Sequence, residues 1–458
     1  NRLDSADTDV LESRRDPEKA SLPPYFPDTP QMRRIWAHQY DLISVLDLQV
    51  RDLIDQLKED GLYERTIIFF FSDHGFGLPR YKRWLYRTGL QVPLIIRVPD
   101  QYRHLITASP GETEDRLVSF VDFAPSVLRL AGAEVPGQMA GSSFLGSDPD
   151  PERSYIFGAR SRADDIYEVS RCVLDERYIY IRNYLPHQPY VTDAIIFSDR
   201  KASYAELRRL REMGELNPGA EEFWQPKPYE ELYDLLEDPA ELNNLVSDPA
   251  HRETVERMRG VLYDWMVDHR DVGLLHESEM MARSRGSTPY EMGSSEQYRV
   301  GEILSAANTC GDPEIPLEEI MPLLDHSDAG VRYWGVRALQ AMGQEPIPLK
   351  ASQLLQDPSP TVAVAAAEWL GMQGETGRAL PVLEKNLRAA DHPTLVLQTA
   401  IAARELGEKA APLIPVIDEV FPRYRGAVWD RYRDWIYPMF IGFALDQVYL
   451  NCGLEIPE

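Results

Sequence analysis

Thr66-Ile67-Ile68-Phe69-Phe70-Phe71 is the feature that most narrows what this chain can fold into. An unbroken β-branched and aromatic run leaves no polar face, so it predicts a strand buried on both sides, as in a parallel sheet covered by helices. Its surroundings agree. Ile35, Leu42, Val45, Leu46, Leu53, Ile54 and Leu57 recur at helical spacing and stop at Gly61, which predicts an amphipathic helix of roughly seven turns. Val92-Pro93-Leu94-Ile95-Ile96-Arg97-Val98-Pro99 reads as a second short strand, and Val118 to Leu130 as a helix closed by Ala131-Gly132. Helix, strand, strand and helix in this order describe an α/β layer over residues 1–150.

The texture then changes. Tyr155-Ile156-Phe157, Cys172-Val173-Leu174 and Tyr178-Ile179-Tyr180-Ile181-Arg182 predict a small antiparallel sheet, with a helix over Asp248 to His269 against it, so residues 151–272 form a second unit. Residues 273–300 are polar and aperiodic and read as a linker. Residues 301–425 repeat at intervals of roughly thirty residues: Gly335 to Gly343, Ala366 to Gly374 and Thr399 to Gly407, each behind a shorter apolar helix and an acidic turn. Small residues at such helix contacts let neighbouring pairs stack, as in HEAT-like solenoids. Residues 426–458 are read as a tail, and residues 1–30, ending in Leu22-Pro23-Pro24-Tyr25-Phe26-Pro27-Asp28-Thr29-Pro30, as a Pro-stiffened loop.

Composition excludes whole classes of partner. The net charge of −26, spread along the 458 residues, argues against binding a phosphate backbone, so no nucleic acid is expected. No stretch reaches the roughly eighteen apolar residues of a membrane-spanning helix. Cys172, Cys310 and Cys452 lie too far apart for a zinc site or a disulfide framework. The chain starts at Asn1 with polar residues behind it, which reads as a truncated or processed amino terminus, so localisation is not legible from a targeting segment.

Chemistry is expected directly after the apolar run, at Ser72-Asp73-His74-Gly75, since polar groups at the carboxyl end of a buried strand commonly build a site. Asp73 and His74 converge on one divalent cation if Gly75 and Gly77 let the backbone turn. Taken alone, an Asp-His-Gly string is more often a strand cap. Behind it comes a basic cluster, Arg80-Tyr81-Lys82-Arg83. Arg162, Asp164 and Asp165 precede the small sheet, where they would read sugar hydroxyls or carboxylates, or simply form a solvated turn.

Helix, strand, Ser72-Asp73-His74-Gly75, the basic cluster, Gly89 and the Val92–Pro99 strand, in this order and spacing, resemble the sulfatase family. So do Phe120-Val121-Asp122-Phe123-Ala124-Pro125-Ser126-Val127-Leu128, Tyr178 to Asn183, Pro228 to Leu235, Asp238-Pro239 and Asn243-Asn244-Leu245. The likeness runs over approximately residues 20 to 270 and is closest to the N-sulfoglucosamine sulfohydrolase-like branch. It implies an α/β fold: part of an alkaline phosphatase-like mixed sheet with flanking helices, a small antiparallel-sheet subdomain that leans over the pocket, and here an added α-helical HEAT-like repeat region.

The resemblance also implies hydrolysis of sulfate esters or N-sulfates, a sulfated carbohydrate as substrate, and a periplasmic or secreted location. Asp73 and His74 match the family's last pair of metal ligands, Lys82 its sulfate-binding cation, and Arg162 and Asp164 its substrate-reading subdomain. Calcium is the metal implied, with manganese admitted because His74 brings a nitrogen where others bring oxygen. The nucleophile is not here: no cysteine lies in the Cys/Ser-x-Pro/Ala-x-Arg element that becomes formylglycine, and the paired aspartates after a first strand are missing too. The chain alone is therefore expected to be inactive, with formylglycine in a missing segment. A phosphomonoester or phosphonate hydrolase of the same superfamily is the alternative activity. A non-catalytic scaffold is the other reading, in which the HEAT-like face takes a protein partner or a second copy.

Overall fold

The computed structural model of the protein describes residues 8–163, 166–191, 201–343, 348–424 and 436–457. Helix α1 (Pro30–Glu59) opens at a proline-compatible first position, with Thr29 Oγ1 accepting from the Met32 N–H at 3.1 Å, and closes at Gly61, φ +67°. It buries Met32, Trp36, Ala37, Leu42 and Val45. The proline-rich stretch before it is anchored: Tyr25 and Phe26 are buried, and Arg33 reaches back to the carbonyls of Glu18 and Ala20 at 3.0 Å.

Among the described residues, strand β1 (Ile68–Phe71) meets no parallel neighbour. Beyond the short helix α2 (Arg87–Leu90) lies β2 (Leu94–Arg97), and the two pair antiparallel, Ile68 opposite Arg97 and Phe71 opposite Leu94. Helix α3 (Phe123–Leu130) packs Phe123 against Phe69 and Phe71, yet Phe71 stays 44% exposed and Ile95 62%. The expectation of burial on both faces is thus corrected. An apolar run records which side chains can be buried; what lies against them is a tertiary matter, and Phe71 and Ile95, on opposite faces of this pair, show that among the described residues neither face is fully covered.

The strand buried on both faces is another one. β3 (Ile156–Ala163), β4 (Ile166–Leu174), β5 (Tyr178–Asn183) and β6 (Glu230–Asp234) form an antiparallel sheet in sequential order, and every residue of β4 is buried. Alternate residues serve two cores. Val169, Val173, Tyr180 and Leu232 face α5 (Arg252–Asp268), with its Val255, Met258, Leu262 and Met266, and the helices beyond. Cys172, Leu174, Ile179 and Ile181 face α1 and the Trp84-Leu85-Tyr86 segment. The expected helix at 248–269 is present, and β6 adds a strand that periodicity did not single out. Helix α4 (Ala202–Met213) completes the second core, which contains Tyr204 and Leu207.

Residues 273–300 are not a solvated linker. They form α6 (Glu277–Arg283) and α7 (Pro289–Ser294), and Leu274, Leu275, His276 and Ser278 are buried. Helices α8 (Val300–Asn308), α9 (Ala329–Met342), α10 (Pro360–Met372), α11 (Thr376–Leu387) and α12 (Pro393–Glu405) stack behind them. The polar residues that made the segment look wet bond inward: Ser278 Oγ meets Thr361 Oγ1 and Gln398 Oε1 at 2.7 Å each, and Trp334 Nε1 donates to the Leu274 carbonyl. The tail is likewise corrected. After α13 (Ile414–Val420), helix α14 (Ile436–Asn451) buries Ile441, Ala444, Leu445 and Val448 in the same core as α12, continuing the solenoid. No helix among the described residues is long and apolar enough to cross a membrane.

Close approach between repeats depends on small residues. A Cβ at Gly335 would come within 2.9 Å of Leu324, and one at Gly371 within 2.8 Å of Leu406. Ion pairs tie successive repeats together, Arg283 to Asp328, Arg332 to Asp357 and, fully inside, Arg337 to Glu368 at 2.7 and 3.0 Å. Leaving one charge of that last pair alone in the core costs more than the pair is worth. Arg337→Leu is expected to lower unfolding free energy by about 3 kcal/mol, and Arg337→Leu/Glu368→Leu to recover most of it, as read by urea denaturation.

Candidate functional site

The loop leaving β1 turns on its own hydrogen bonds. Ser72 Oγ donates to the His74 carbonyl at 2.7 Å, and His74 Nδ1 lies 2.7 Å from the Gly75 carbonyl. A carbonyl only accepts, so Nδ1 carries a proton, and in the neutral ring Nε2 has the lone pair. That Nε2 sits 3.3 Å from Asp73 Oδ2, with His74 25% exposed and Asp73 81%. An imidazole nitrogen of fixed tautomer beside a carboxylate oxygen is a donor pair that one divalent ion can touch, and the hydrogen bond on the far ring nitrogen orients the imidazole as metal-bound histidines require. No cluster of three or more His, Cys, Asp or Glu able to hold a metal occurs among the described residues. Asp73 and His74 thus offer a cation two donor atoms, a carboxylate oxygen and an imidazole nitrogen.

Gly75 acts through closeness rather than a left-handed turn. A Cβ there would lie 2.2 Å from the Thr88 carbonyl oxygen, so the loop after β1 rests directly on the backbone that leads into β2. A second tie is the Lys82 N–H, which donates to the Phe76 carbonyl at 2.9 Å. Trp36, Phe76 and Tyr81 pack their rings around this junction. The Asp73–His74 turn and the basic cluster are thus two limbs of one folded loop.

Within that cluster the three cations have different fates. Arg80 is 2% exposed; its guanidinium lies 3.9 Å from the Tyr86 ring centroid and donates to the carbonyls of Ala240 and Glu241. Arg80 and Arg83 both adopt left-handed backbone, φ +69° and +82°, which costs residues with a Cβ about 1–3 kcal/mol each and is retained where surrounding structure over-determines it. Lys82, between them, is half-buried, and its ammonium has no ion-pair or hydrogen-bond partner among the described residues.

Arg162 is placed differently from the sequence expectation. It is part of β3, 10% exposed, and its Nε donates to Glu277 Oε2 at 2.6 Å, fastening the sheet to α6. It is thus no part of a solvated turn, and its Nη1 is buried without a hydrogen-bond partner among the described residues. Asp164 and Asp165 lie outside the described residues. Cys172 and Cys310 are buried and their thiols are pushed up to about 12 by burial, so neither offers a thiolate.

Two carboxylates that sequence reasoning passed over hold the loop in place. Glu231, 1% exposed, accepts from Tyr86 and Tyr233 on one oxygen at 2.9 and 2.7 Å, and from Tyr190 and Asn183 on the other at 2.5 and 2.7 Å. Glu241 is wholly buried and accepts from the Arg87 N–H. Burial raises the Glu241 carboxyl from 4.5 to about 7, against the lowering effects of the Arg87 N–H and Arg80, with Glu231 and Asp238 adding to the rise. The only signal available was an acidic residue beside Leu232 and Tyr233 in a short strand that has acids at both ends, and another in the turn after it.

Two outcomes follow for the loop. Gly75→Ala forces backbone apart and is expected to cost about 1–3 kcal/mol, measured as a fall in chemical stability. For Glu241, a folded pKa above the unfolded value means stability that is complete below about 4.5 and lost as pH rises through about 7. Glu241→Gln should remove this slope, worth roughly 3 kcal/mol between pH 4.5 and 7, in urea titrations across that range.

Comparison with known proteins now bears on these features. Residues 12–133 match the sulfatase family model and residues 317–405 the HEAT-repeat model. An ulvan-active sulfatase of Formosa agariphila is 40% identical over 316 residues, 68% of this chain and 51% of that protein. Human N-sulphoglucosamine sulphohydrolase is 23% identical over 56% of this chain and 52% of its own length, and goat (Capra hircus) N-acetylglucosamine-6-sulfatase 31% identical over 44% and 35%. A solved 2-O GAG sulfatase aligns over 54% of this chain and 46% of its own at 20% identity, TM-score 0.40. The chain spans about half the length of the first curated relatives it matches. It carries a sulfatase-family domain segment, with HEAT repeats behind it.

Proposed function

We propose that this chain is the carboxy-terminal part of a metal-dependent sulfatase that hydrolyses sulfate esters or N-sulfates on sulfated sugars. The observation that carries the reading is the Asp73–His74 pair, a carboxylate oxygen and an imidazole nitrogen 3.3 Å apart, on the same folded loop as Lys82, whose ammonium has no partner among the described residues. The named activities of the relatives, on ulvan, N-sulphoglucosamine and N-acetylglucosamine 6-sulfate, support a sulfated carbohydrate as the substrate class. Residues 1–150 and 151–272 act as two parts of one sulfatase domain, since the sheet of the second packs on the aromatic segment of the first.

Asp73 and His74 would hold a divalent cation, calcium by family resemblance and manganese by the nitrogen ligand. Bound there, the cation would draw charge from the sulfate oxygens, while formylglycine, from a part of the domain this chain does not contain, would supply the attacking oxygen. This chain's own residues do the rest. The Gly75 carbonyl holds the proton on His74 Nδ1, keeping Nε2 directed to the ion. Lys82 meets a sulfate oxygen with its ammonium, neutralising charge on the group under attack, while the bonding pair leaves with the ester oxygen or amine. The solenoid buttresses the sheet through α6, where Ser278 and Trp334 bond across the seam.

The test uses the full-length protein matured by a formylglycine-generating enzyme, with sulfate release measured from ulvan oligosaccharides and N-sulfoglucosamine. Release is expected, sensitive to chelation, abolished by Asp73→Ala and reduced about 10²-fold by Lys82→Ala. Absence of sulfate release from either substrate class, or full activity in the Asp73 variant, would sink the reading.

A further inference from the structure

The segment after β6 grips the Lys82 loop on both sides. Both carboxylate oxygens of Glu241 lie within reach of the Arg87 N–H, at 3.0 and 3.1 Å. The backbone carbonyls of Glu241 and Ala240 take the guanidinium of Arg80. One short stretch of chain therefore holds the loop before and after Lys82. Thr88 Oγ1 closes the same loop by donating to the Arg80 carbonyl at 2.5 Å.

The grip is costly to build. Glu241 has left-handed backbone, φ +54°, as do Arg80 and Arg83, so three strained residues with side chains belong to one short loop and its clamp. Glu241 is also an acid with no exposed surface, where an apolar residue of similar size would pack at lower cost. Strain and buried charge together are spent on fixing backbone rather than on filling space. The backbone they fix belongs to Lys82, whose ammonium is otherwise unrestrained by any described partner.

We infer that Glu241 is a positioning residue for anion binding: by holding Arg80 and Arg87 it sets the backbone on either side of Lys82 and so places that ammonium against the substrate's sulfate group. This rests on the assignment of Lys82 above, and the two can fail separately.

A double-mutant cycle in the full-length protein tests it, with inorganic sulfate as the probe and its dissociation constant read by calorimetry. Lys82→Ala is expected to weaken sulfate about tenfold, the size of one charge-assisted hydrogen bond. Glu241→Ala should weaken it to a similar extent in the native background and have no further effect once Lys82 is gone. Glu241→Gln, which keeps an oxygen for the Arg87 N–H, should restore affinity to within about threefold. If Glu241→Ala does not fold, Glu241→Asp takes its place in the cycle, keeping the charge but losing reach. Additive losses, or a Glu241 variant that binds sulfate normally while Lys82→Ala does not, would overturn the positioning role and leave Lys82 standing. Normal sulfate binding by Lys82→Ala would overturn both.

Discussion

A carboxylate taken out of water has to find its hydrogen bonds elsewhere, and Glu231 finds four of them in four different parts of the chain. Tyr86 comes from the loop next to the candidate site, Asn183 from the end of β5, Tyr190 from the segment behind it and Tyr233 from its own strand. All are neutral donors, so the hydrogen bonds this carboxylate accepts come from hydroxyl and amide dipoles. Removing a donor strands a buried lone pair; removing Glu231 strands several hydroxyls at once. The loop next to the candidate site and the antiparallel sheet are registered against each other at this point, where the rings of Trp84, Tyr86 and Tyr190 also pack.

From that anchor the chemistry is built outward in backbone. Trp84 to Tyr86 are fixed by the sheet, Arg80 is drawn inward between Tyr25 and Tyr86, and Arg87 is held by Glu241. Lys82 stays half-buried, its ammonium without a partner among the described residues. Gly75 then lets the Asp73–His74 turn settle directly on the Thr88 carbonyl, where any side chain would push it away. The buried Arg80 shows why counting basic residues in a loop misjudges an anion site: a guanidinium over a tyrosine face, donating to carbonyls, is part of the wall.

The solenoid belongs to the same construction. The sheet's second face and the first helices of the repeats share one core, and α6 sits between them with Arg162–Glu277 on one side and Ser278–Thr361–Gln398 on the other. A helical array that shares its core with its neighbour is a rigid extension of that neighbour, in keeping with the buttressing role proposed for it.

Local pattern was enough for whatever depends on neighbours a few residues away. Helix α1 up to Gly61, the strands around Ile68, Leu94 and Tyr178, the thirty-residue repeat and the Asp73-His74 turn were all legible, because periodicity, caps and adjacent side chains are short-range facts of the sequence. The wet-looking segment at 273–300, the tail helix α14, the bare side of β1 and the inward Arg80 and Arg162 were not. Tyr86 and Glu231 are 145 residues apart, Arg87 and Glu241 154, and Arg162 and Glu277 115. A polar side chain in a sequence looks the same whether water or a distant partner will satisfy it. Only the tertiary structure decides which, because burial is set by what the rest of the chain brings to that point in space.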